Sequence, residues 1–182
     1  MAETRSSDSD PGGTGNLQMV NKQPHLFLDC DGVLADFDAG AKRILGMTSA
    51  AFEERHGKSE FWKRLARARN FYGDLPQMPD AQKLFLAVRH LKPTILTGLP
   101  LGKWAAPQKE RWAAEHFPGV SIITTMARQK YLHMDGGDVL VDDRDNHRHL
   151  WENAGGIFIH HKNADDTLRQ LAEIYPSVKA DA

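Results

Sequence analysis

The stretch that decides the fold is HLFLDCDGVLADFD, residues His25–Asp38. A short apolar run leads directly into two carboxylates, Asp29 and Asp31, and then into a glycine. A buried strand that ends in an Asp-x-Asp-Gly turn brings both acids to the carboxyl edge of a sheet, where open α/β sheets bind their ligands. Two carboxylates this close repel each other by roughly 4 kcal/mol at an effective dielectric near 20. The pair therefore predicts a cation, a shared proton or bulk water beside it.

The composition is that of an ordinary globular protein. Of the 182 residues, 41% are hydrophobic and 26% charged, so one domain with a substantial core and a small insertion is expected. The formal net charge of -1 argues against a general nucleic-acid binder, which carries a basic face. Cys30 is the only cysteine, so no internal disulfide can form. Since neighbouring aspartates raise a thiol pKa, we expect Cys30 to be a packing residue rather than a reactive one.

The first residues of the chain differ from the rest. Residues 1–23 are polar and rich in Gly, Ser and Asp, and such a segment buries too little apolar surface to offset its ordering entropy. We therefore expect a disordered tail. The chain shows no signal-peptide pattern and no apolar run approaching the roughly twenty residues of a membrane helix. A cytoplasmic protein without a membrane partner is expected.

From residue 24 onward, short apolar runs alternate with helical patterns. Runs that are apolar throughout are typical of strands buried on both faces, and their alternation with helices predicts an α/β fold. We expect a doubly wound, Rossmann-like parallel sheet of about five strands. The predicted strands are His25–Asp29, Pro93–Thr97, Val120–Thr124, Asp138–Asp142 and Gly156–His160. The predicted helices are Pro79–Leu91, Pro107–His116, Arg144–Asn153 and Ala164–Ile174.

One connection is too long for a simple crossover. More than sixty residues separate the first two strands, and residues 37–78 contain several short helical patterns interrupted by glycines and prolines. We predict that residues 37–78 form a small helical cap over Asp29 and Asp31, on a core made of residues 24–36 and 79–182. Such a cap would exclude water and select the substrate. An extra helical layer without a gating role is the alternative.

Reactive residues follow three of the predicted strands. Because parallel strands present their carboxyl ends at one edge of the sheet, these side chains should converge. An acidic pair after a single strand is often only a turn signal or a helix N-cap, but agreement of three strand ends by accident is much rarer. The residues are Asp29 and Asp31 after the first strand, Thr97 and Gly98 after the second, and Asp142 and Asp143 after the fourth.

This cluster predicts phosphoryl chemistry. Asp29 and Asp142 offer the oxygen ligands of Mg²⁺, which typically takes one or two carboxylates together with waters and a substrate phosphate. A free aspartate oxygen can attack phosphorus and form an aspartyl-phosphate. Thr97 and Gly98 can hold phosphoryl oxygens through a hydroxyl and a backbone N–H. A lysine is needed to balance the charge of the attacked group, and the candidates are Lys103, Lys109 and Lys130.

The order of these motifs resembles that of the haloacid dehalogenase superfamily of phosphohydrolases. LDCDGVLADF, ILTG, an intervening lysine and VLVDD follow one another as the four motifs of that superfamily do, over the chain from residue 24 onward. The sequence is also similar to the 5′(3′)-deoxyribonucleotidase-like branch, in DGVLADF, in the FW…L pattern of residues 61–65, in MPDAQKLFLAVRHL and in VLVDDRDNH. The resemblance implies a magnesium-dependent phosphatase with a nucleoside monophosphate as the favoured small phosphorylated substrate.

The resemblance also implies a role for each matching residue. Asp29 would be the nucleophile and a magnesium ligand. Asp31 would be the general acid and then the general base, and its backbone carbonyl would bind the metal. Thr97 would hold the phosphate. The metal site would be completed by Asp142, with Asp143 near it.

Two lysines and two aromatic residues are further candidates. Lys130 follows the third strand, where the branch has its third-motif lysine. Lys109 resembles a second, substrate-side lysine of that branch, and an ordinary solvated helix lysine is the alternative. Phe37 and Trp62 can stack on a base if they face the pocket, although aromatic residues at helical spacing more often belong to the core.

Some residues depart from the pattern or stand outside it. Nucleotidases of the branch carry Thr-Ser where this chain has Thr97-Gly98, and Leu99–Ala106 does not align with them, which concerns the substrate more than the chemistry. The four histidines of two close pairs lack the spacing and thiol partners of a structural zinc site, so surface or packing roles are expected. They are His147, His149, His160 and His161.

Other functions share parts of this pattern. A signalling receiver domain also combines Mg²⁺, acids, a threonine and a lysine, but places its phosphorylated aspartate on a middle strand and its lysine last. A non-catalytic magnesium- or ligand-binding protein on the same fold would most simply have lost Asp31, which is present. A phosphotransferase, or a phosphatase for another small phosphoester or for the phosphorylated end of a larger molecule, shares all these residues. The oligomeric state stays open.

Overall fold

A five-stranded parallel sheet forms the centre of the molecule. The computed structural model describes residues 23–179, so the predicted tail lies almost entirely outside the described residues. The strand order is β3-β2-β1-β4-β5, with every neighbouring pair parallel. The predicted doubly wound α/β fold is thereby confirmed. The strands are β1 (Leu26–Leu28), β2 (Thr94–Gly98), β3 (Ser121–Thr125), β4 (Val139–Asp142) and β5 (Ile157–His160).

The central position of β1 follows from its apolar sequence. Phe27 pairs in register with Thr94 of β2 and with Leu140 of β4, so both edges of β1 are hydrogen-bonded. Successive side chains of a strand point to opposite faces. Leu26 and Leu28 accordingly join the larger hydrophobic cluster on one face, while Phe27 joins a smaller cluster on the other. Strands β2 and β3 are added on one side of β1, and β4 and β5 on the other. The order of the strands therefore reverses between β1 and β4, which is where ligands bind in doubly wound folds.

The helices lie close to their predicted positions, with three corrections at their ends. The helix predicted over Pro107–His116 begins two residues earlier, at Ala105. The helix predicted over Arg144–Asn153 begins only at Arg148, because residues 143–147 form an irregular loop after β4. The helix predicted over Pro79–Leu91 begins at Ala81 and ends in a 3-10 turn. The core helices are α3 (Ala81–Val88), α4 (Ala105–His116), α5 (Arg148–Asn153) and α6 (Ala164–Ile174), with 3-10 segments at Arg89–Leu91 and Ala127–His133.

Two helices occupy residues 37–78 of the long connection after β1. Helix α1 (Phe37–Leu45) begins where the Asp36 side chain accepts a hydrogen bond from Ala39 N, and it ends at Gly46 in the left-handed conformation. Helix α2 (Ser49–Ala66) is interrupted at Gly57, whose φ of 80° and ψ of 155° are not helical. Aromatic side chains of this segment pack on one another, with Phe37 against Phe61, Trp62, Phe71 and Tyr72. The division of the chain into a cap and a core stays a prediction.

Among residues 23–179, no helix combines the length and the apolar character needed to cross a bilayer. Cys30 is buried directly after β1, and this burial raises the pKa of its thiol. A thiol that stays protonated is a packing group, as its sequence neighbours indicate.

Candidate active site

The turn after β1 holds two acids at the end of the central strand. Asp29 N donates to Val141 O at 2.9 Å, which continues the ladder up to the first acid. Two backbone N–H groups, those of Leu34 and Ala35, then donate to Cys30 O at 2.8 Å and close a tight turn. Gly32 has a φ of 76°, and a Cβ on it would overlap the carboxylate of Asp143. Glycine is required here both for the backbone conformation and for that close approach.

Lys130 joins the acids of two neighbouring strands. Its Nζ lies 2.9 Å from Asp29 Oδ1 and 2.7 Å from Asp142 Oδ2, and the side chain is 7% exposed. Burial alone lowers the pKa of Lys130, but the carboxylates of Asp29 and Asp142 outweigh this effect and raise it above its usual value. The residue is therefore a permanent cation between the end of β1 and the end of β4.

The loop after β4 presents Asp142 and Asp143 to the same space. Asp142 Oδ1 accepts from Arg144 N at 2.9 Å, and the ring Nε2 of His160 donates to the Asp143 carbonyl at 2.9 Å, so the start of the loop is fixed. Burial and the nearby Asp29 raise the pKa of Asp142. Burial, Asp29 and Asp142 together raise the pKa of Asp143 to about 7. Like charges crowded at a partly buried edge call for a cation.

Lys109 of α4 forms a second bridge on the other side of β1. Its Nζ donates to Asp31 Oδ2 at 2.6 Å and to Thr97 Oγ1 at 2.9 Å, and the side chain is 1% exposed. The ammonium also lies 4.3 Å from the centroid of the Tyr72 ring. Burial raises the pKa of Asp31, and the adjacent Lys109 opposes that rise. That Lys109 contacts the substrate stays a prediction, since its contacts in the structure are with Asp31, Thr97 and Tyr72.

The donor set fits a hard divalent cation. One carboxylate oxygen from each of Asp29, Asp142 and Asp143 lies within 4.8 Å of the others. Oxygen ligands of this kind suit Mg²⁺. Within residues 23–179, the four carboxylates of the site face two buried ammonium groups, so two negative charges lack a buried counterion from this part of the chain when all the acids are ionised. Asp31 is not one of these three carboxylates. It is predicted to bind the metal through its backbone carbonyl, and this stays a prediction.

A cavity of about 440 Å³ opens above these strand ends. It is lined by most of the residues predicted from the sequence, which the fold therefore brings together. Thr97 and Lys109 do not line the cavity, because both are fully buried, and Lys109 hydrogen-bonds both Thr97 and Asp31. Lys103 does not line it either, and its side chain is exposed. The predicted site residues on its wall are Asp29, Asp31, Phe37, Trp62, Gly98, Lys130, Asp142 and Asp143.

The cavity also has lining residues that the sequence patterns do not single out. Tyr72 joins Phe37 and Trp62 on its aromatic side, and no local motif marks this tyrosine as different from other core aromatics. Three exposed cations line the cavity without an ion pair to any residue between 23 and 179. The sequence marks only Arg144, which directly follows Asp142 and Asp143. They are Lys58, Arg128 and Arg144.

The histidine pairs have the expected surface or packing environments. His147 and His149 are exposed, although His147 reaches the edge of the cavity. His161 is buried, with its Nδ1 and Thr167 Oγ1 2.8 Å apart, and burial lowers its pKa. In residues 23–179 the only group of three or more potential ligands is the aspartate cluster, and it contains none of these rings.

Comparisons with known proteins agree with the fold and go no further. No protein-family model and no curated protein matches the sequence. Among solved structures, a hydrolase from Pseudomonas syringae matches with a TM-score of 0.50 and 14% identity, over 84% of this chain and 99% of that chain. A hydrolase from Streptococcus pneumoniae TIGR4 has a TM-score of 0.48 and 10% identity, over 84% and 100% of the two chains. Since a shared fold does not fix a reaction, the chemistry rests on the site.

Proposed function

We propose that this chain is a magnesium-dependent phosphomonoester hydrolase of the haloacid dehalogenase type that acts through an aspartyl-phosphate. One observation carries the proposal. Asp29 and Asp31 stand at the end of the central strand, each in contact with its own buried lysine, and they share a cavity with Asp142 and Asp143. A binding site needs oxygen ligands, but it has no evident use for a second acid held apart from the metal ligands.

The arrangement supports a two-step reaction. In the first step an Asp29 carboxylate oxygen attacks phosphorus, the bond from phosphorus to the leaving oxygen breaks, and Asp31 gives that oxygen its proton. In the second step Asp31 takes a proton from a water, whose oxygen attacks phosphorus and releases Asp29 and inorganic phosphate. Lys130, 2.9 Å from Asp29 Oδ1, would compensate negative charge at the attacked group throughout. When bound by Asp29, Asp142 and Asp143, Mg²⁺ supplies charge neutralisation and orientation of a phosphoryl oxygen.

A nucleoside monophosphate is the substrate that we favour. Support comes from the aromatic side of the cavity, where the partly buried Trp62, packed against the buried Phe37, offers apolar ring surface to a planar group. The similar nucleotidases have a serine where this chain has Gly98, so this chain lacks one hydroxyl near the phosphate. Other small phosphoesters and the phosphorylated end of a larger molecule are therefore the alternative substrates. Phosphoryl transfer to an alcohol would use the same residues with the alcohol in place of water.

Phosphate release tests this proposal directly. The purified chain is incubated with Mg²⁺ and a panel of nucleoside monophosphates, sugar phosphates and 4-nitrophenyl phosphate, with and without a chelator. We expect turnover that stops on chelation and returns with added Mg²⁺. Asp29→Asn should reduce kcat by about 10⁴-fold or more, as loss of a nucleophile does. Asp145→Asn is the matched control, since Asp145 is exposed and does not line the cavity.

The outcomes separate the alternatives. Activity on 4-nitrophenyl phosphate and sugar phosphates with none on nucleotides would contradict the nucleotide proposal and keep the hydrolase. A product phosphorylated on an added alcohol would indicate a transferase. Mg²⁺ binding without turnover of any compound would indicate a non-catalytic binding protein. Undiminished turnover by Asp29→Asn would remove this residue as the nucleophile.

A further inference from the structure

Asp31 uses its two carboxylate oxygens differently. Oδ2 accepts the 2.6 Å hydrogen bond from Lys109 Nζ, whereas Oδ1 is buried and has no hydrogen-bond partner within the described part of the chain. Asp31 itself lines the cavity, and Lys109 does not. One oxygen is therefore anchored to the protein interior, while the Asp31 side chain, 24% exposed, lies where the interior meets the cavity.

We propose that Lys109 is a positioning residue for Asp31, and not a ligand of the substrate; this inference rests on the proposed function. Catalytic bases are commonly oriented by a third group that never touches the substrate. Lys109 occupies that place for Asp31: its hydrogen bond to Oδ2 fixes the orientation of the carboxylate that serves the leaving oxygen and, later, the attacking water.

The surroundings of Lys109 leave its ammonium no room to serve a phosphate. Of its three donor hydrogens, two are directed at Asp31 and Thr97, and the Tyr72 ring covers a further side at 4.3 Å from its centroid. With 1% of the side chain exposed, a phosphoryl oxygen can reach Nζ only by displacing Asp31 or Thr97.

Helix α4 is itself held in place, so the lysine cannot turn outward. Gln108 Oε1 accepts from Tyr72 N at 2.9 Å, and Trp112 Nε1 donates to Leu75 O at 2.8 Å. These two buried bonds flank Lys109 along the helix and tie it to the segment that carries the Tyr72 ring. The ammonium is therefore fixed relative to Asp31 from both directions, as precise positioning requires.

The test uses the leaving group to isolate the proton transfer. A dinitrophenolate leaves without protonation, whereas the alkoxide of a nucleoside monophosphate needs the general acid. For Lys109→Gln we expect kcat/KM to fall about 100-fold on the nucleotide and to stay within about fivefold on 2,4-dinitrophenyl phosphate, since positioned acids contribute 10²- to 10⁴-fold. If another alkyl phosphate is the best substrate of the panel, it replaces the nucleotide.

Each control separates positioning from a general loss of structure. Asp31→Asn should reproduce the same selective loss, and Lys109→Arg, which keeps a cation, should recover part of it. Lys103→Gln, an exposed lysine of the preceding loop, should leave both rates unchanged. Because the two substrates are compared on one preparation, the ratio of their kcat/KM values does not depend on the fraction of folded enzyme.

The double variant keeps the inference testable if Lys109→Gln does not fold. Removal of the cation leaves Asp31 as an unpaired buried acid, whereas Asp31→Asn/Lys109→Gln removes both charges. Its kcat/KM on the nucleotide should equal that of Asp31→Asn alone, because a positioning residue has no effect without its partner. A further drop of tenfold, or an equal loss of Lys109→Gln on both substrates, would overturn the inference while the hydrolase stands. A wild type without any turnover would overturn the proposed function and the inference with it.

Discussion

At the scale of single residues, the two acids after β4 differ in their partners. Asp142 is held by Lys130 Nζ and by Arg144 N, whereas the Asp143 carboxylate has no hydrogen-bond donor or ion-pair partner within residues 23–179. Burial, Asp29 and Asp142 raise the pKa of Asp143 to about 7. A metal ion would compete with the proton for this carboxylate near neutral pH.

The first prediction is that Mg²⁺ affinity rises with pH through this range. A raised pKa means that Asp143 is protonated below about pH 7 and must lose its proton to bind the ion. The association constant should therefore increase up to about tenfold per pH unit below pH 7 and level off above it. Calorimetric titration at pH 6, 7 and 8 measures this, and Asp143→Asn should bind more weakly with a flatter dependence. An unchanged slope in Asp143→Asn would assign the proton to another group.

The identity of a residue predicts the charge of its side chain but not how deeply that side chain is buried. The order of the aspartates along the chain is sufficient to predict that Asp29, Asp31, Asp142 and Asp143 meet, because parallel strands end at one edge. Nothing in the helical pattern around Lys109 distinguishes a solvated lysine from one that is 1% exposed. Its partners come from β1 and β2, far away in sequence, so only the packed structure identifies them.

At the scale of elements, the ends of the strands can be predicted from the sequence to within one residue. The glycines of residues 37–78 indicate where the inserted helices end or bend. Continuous apolar runs are short and bounded, so the ends of β1 to β5 shift little. Gly46 and Gly57 marked interruptions in the sequence, and the structure places a helix end at one and a kink at the other. The predicted start of α5 at Arg144 was wrong, because residues 143–147 form a loop. The start of this loop is held by hydrogen bonds of the site, from Arg144 N to Asp142 and from His160 to the Asp143 carbonyl.

The second prediction concerns the kink at Gly57. Its φ of 80° with ψ of 155° is nearly exclusive to glycine, and a Cβ there would meet no atom within 4 Å, so Gly57→Ala introduces backbone strain without a clash. The strain should cost about 1–3 kcal/mol, some of which is relieved if the helix straightens. Straightening moves Lys58 and Trp62, which line the cavity directly after the kink. We expect a KM severalfold higher with little change in kcat.

Gly46→Ala is the matched control for the kink. Gly46 also has a positive φ, of 75°, and open space around it, but it ends α1 and does not line the cavity. Denaturant unfolding should show a loss of stability of about 1 kcal/mol for this variant, with an unchanged KM. Equal KM values for both variants and the wild type would mean that the second half of α2 keeps its place without the kink.

At the scale of the whole molecule, the charges are unevenly placed. The net charge is only -1, yet three cations without ion-pair partners in the described chain surround one opening. They come from separate elements: Lys58 from α2, Arg128 from the 3-10 segment after β3, and Arg144 from the loop after β4. Acids form the floor of the cavity and cations its exposed wall. The convergence could not be predicted from the sequence, because isolated surface cations carry no periodic signal.

The last prediction is that these three cations attract the phosphorylated substrate. A potential of this kind is screened within about 10 Å at 0.1 M salt, so kcat/KM should fall several-fold between about 20 mM and 300 mM ionic strength. Replacing Lys58, Arg128 and Arg144 together by Gln should lower kcat/KM about tenfold at low salt and remove most of the salt dependence. Stopped-flow or steady-state assays under subsaturating substrate measure both effects. The control replaces Lys42, Arg89 and Lys162, which are exposed and do not line the cavity, and so makes the same change in net charge. If this control lowers kcat/KM as much as the cavity variant does, attraction depends on the total charge of the molecule and not on the placement of cations at the opening.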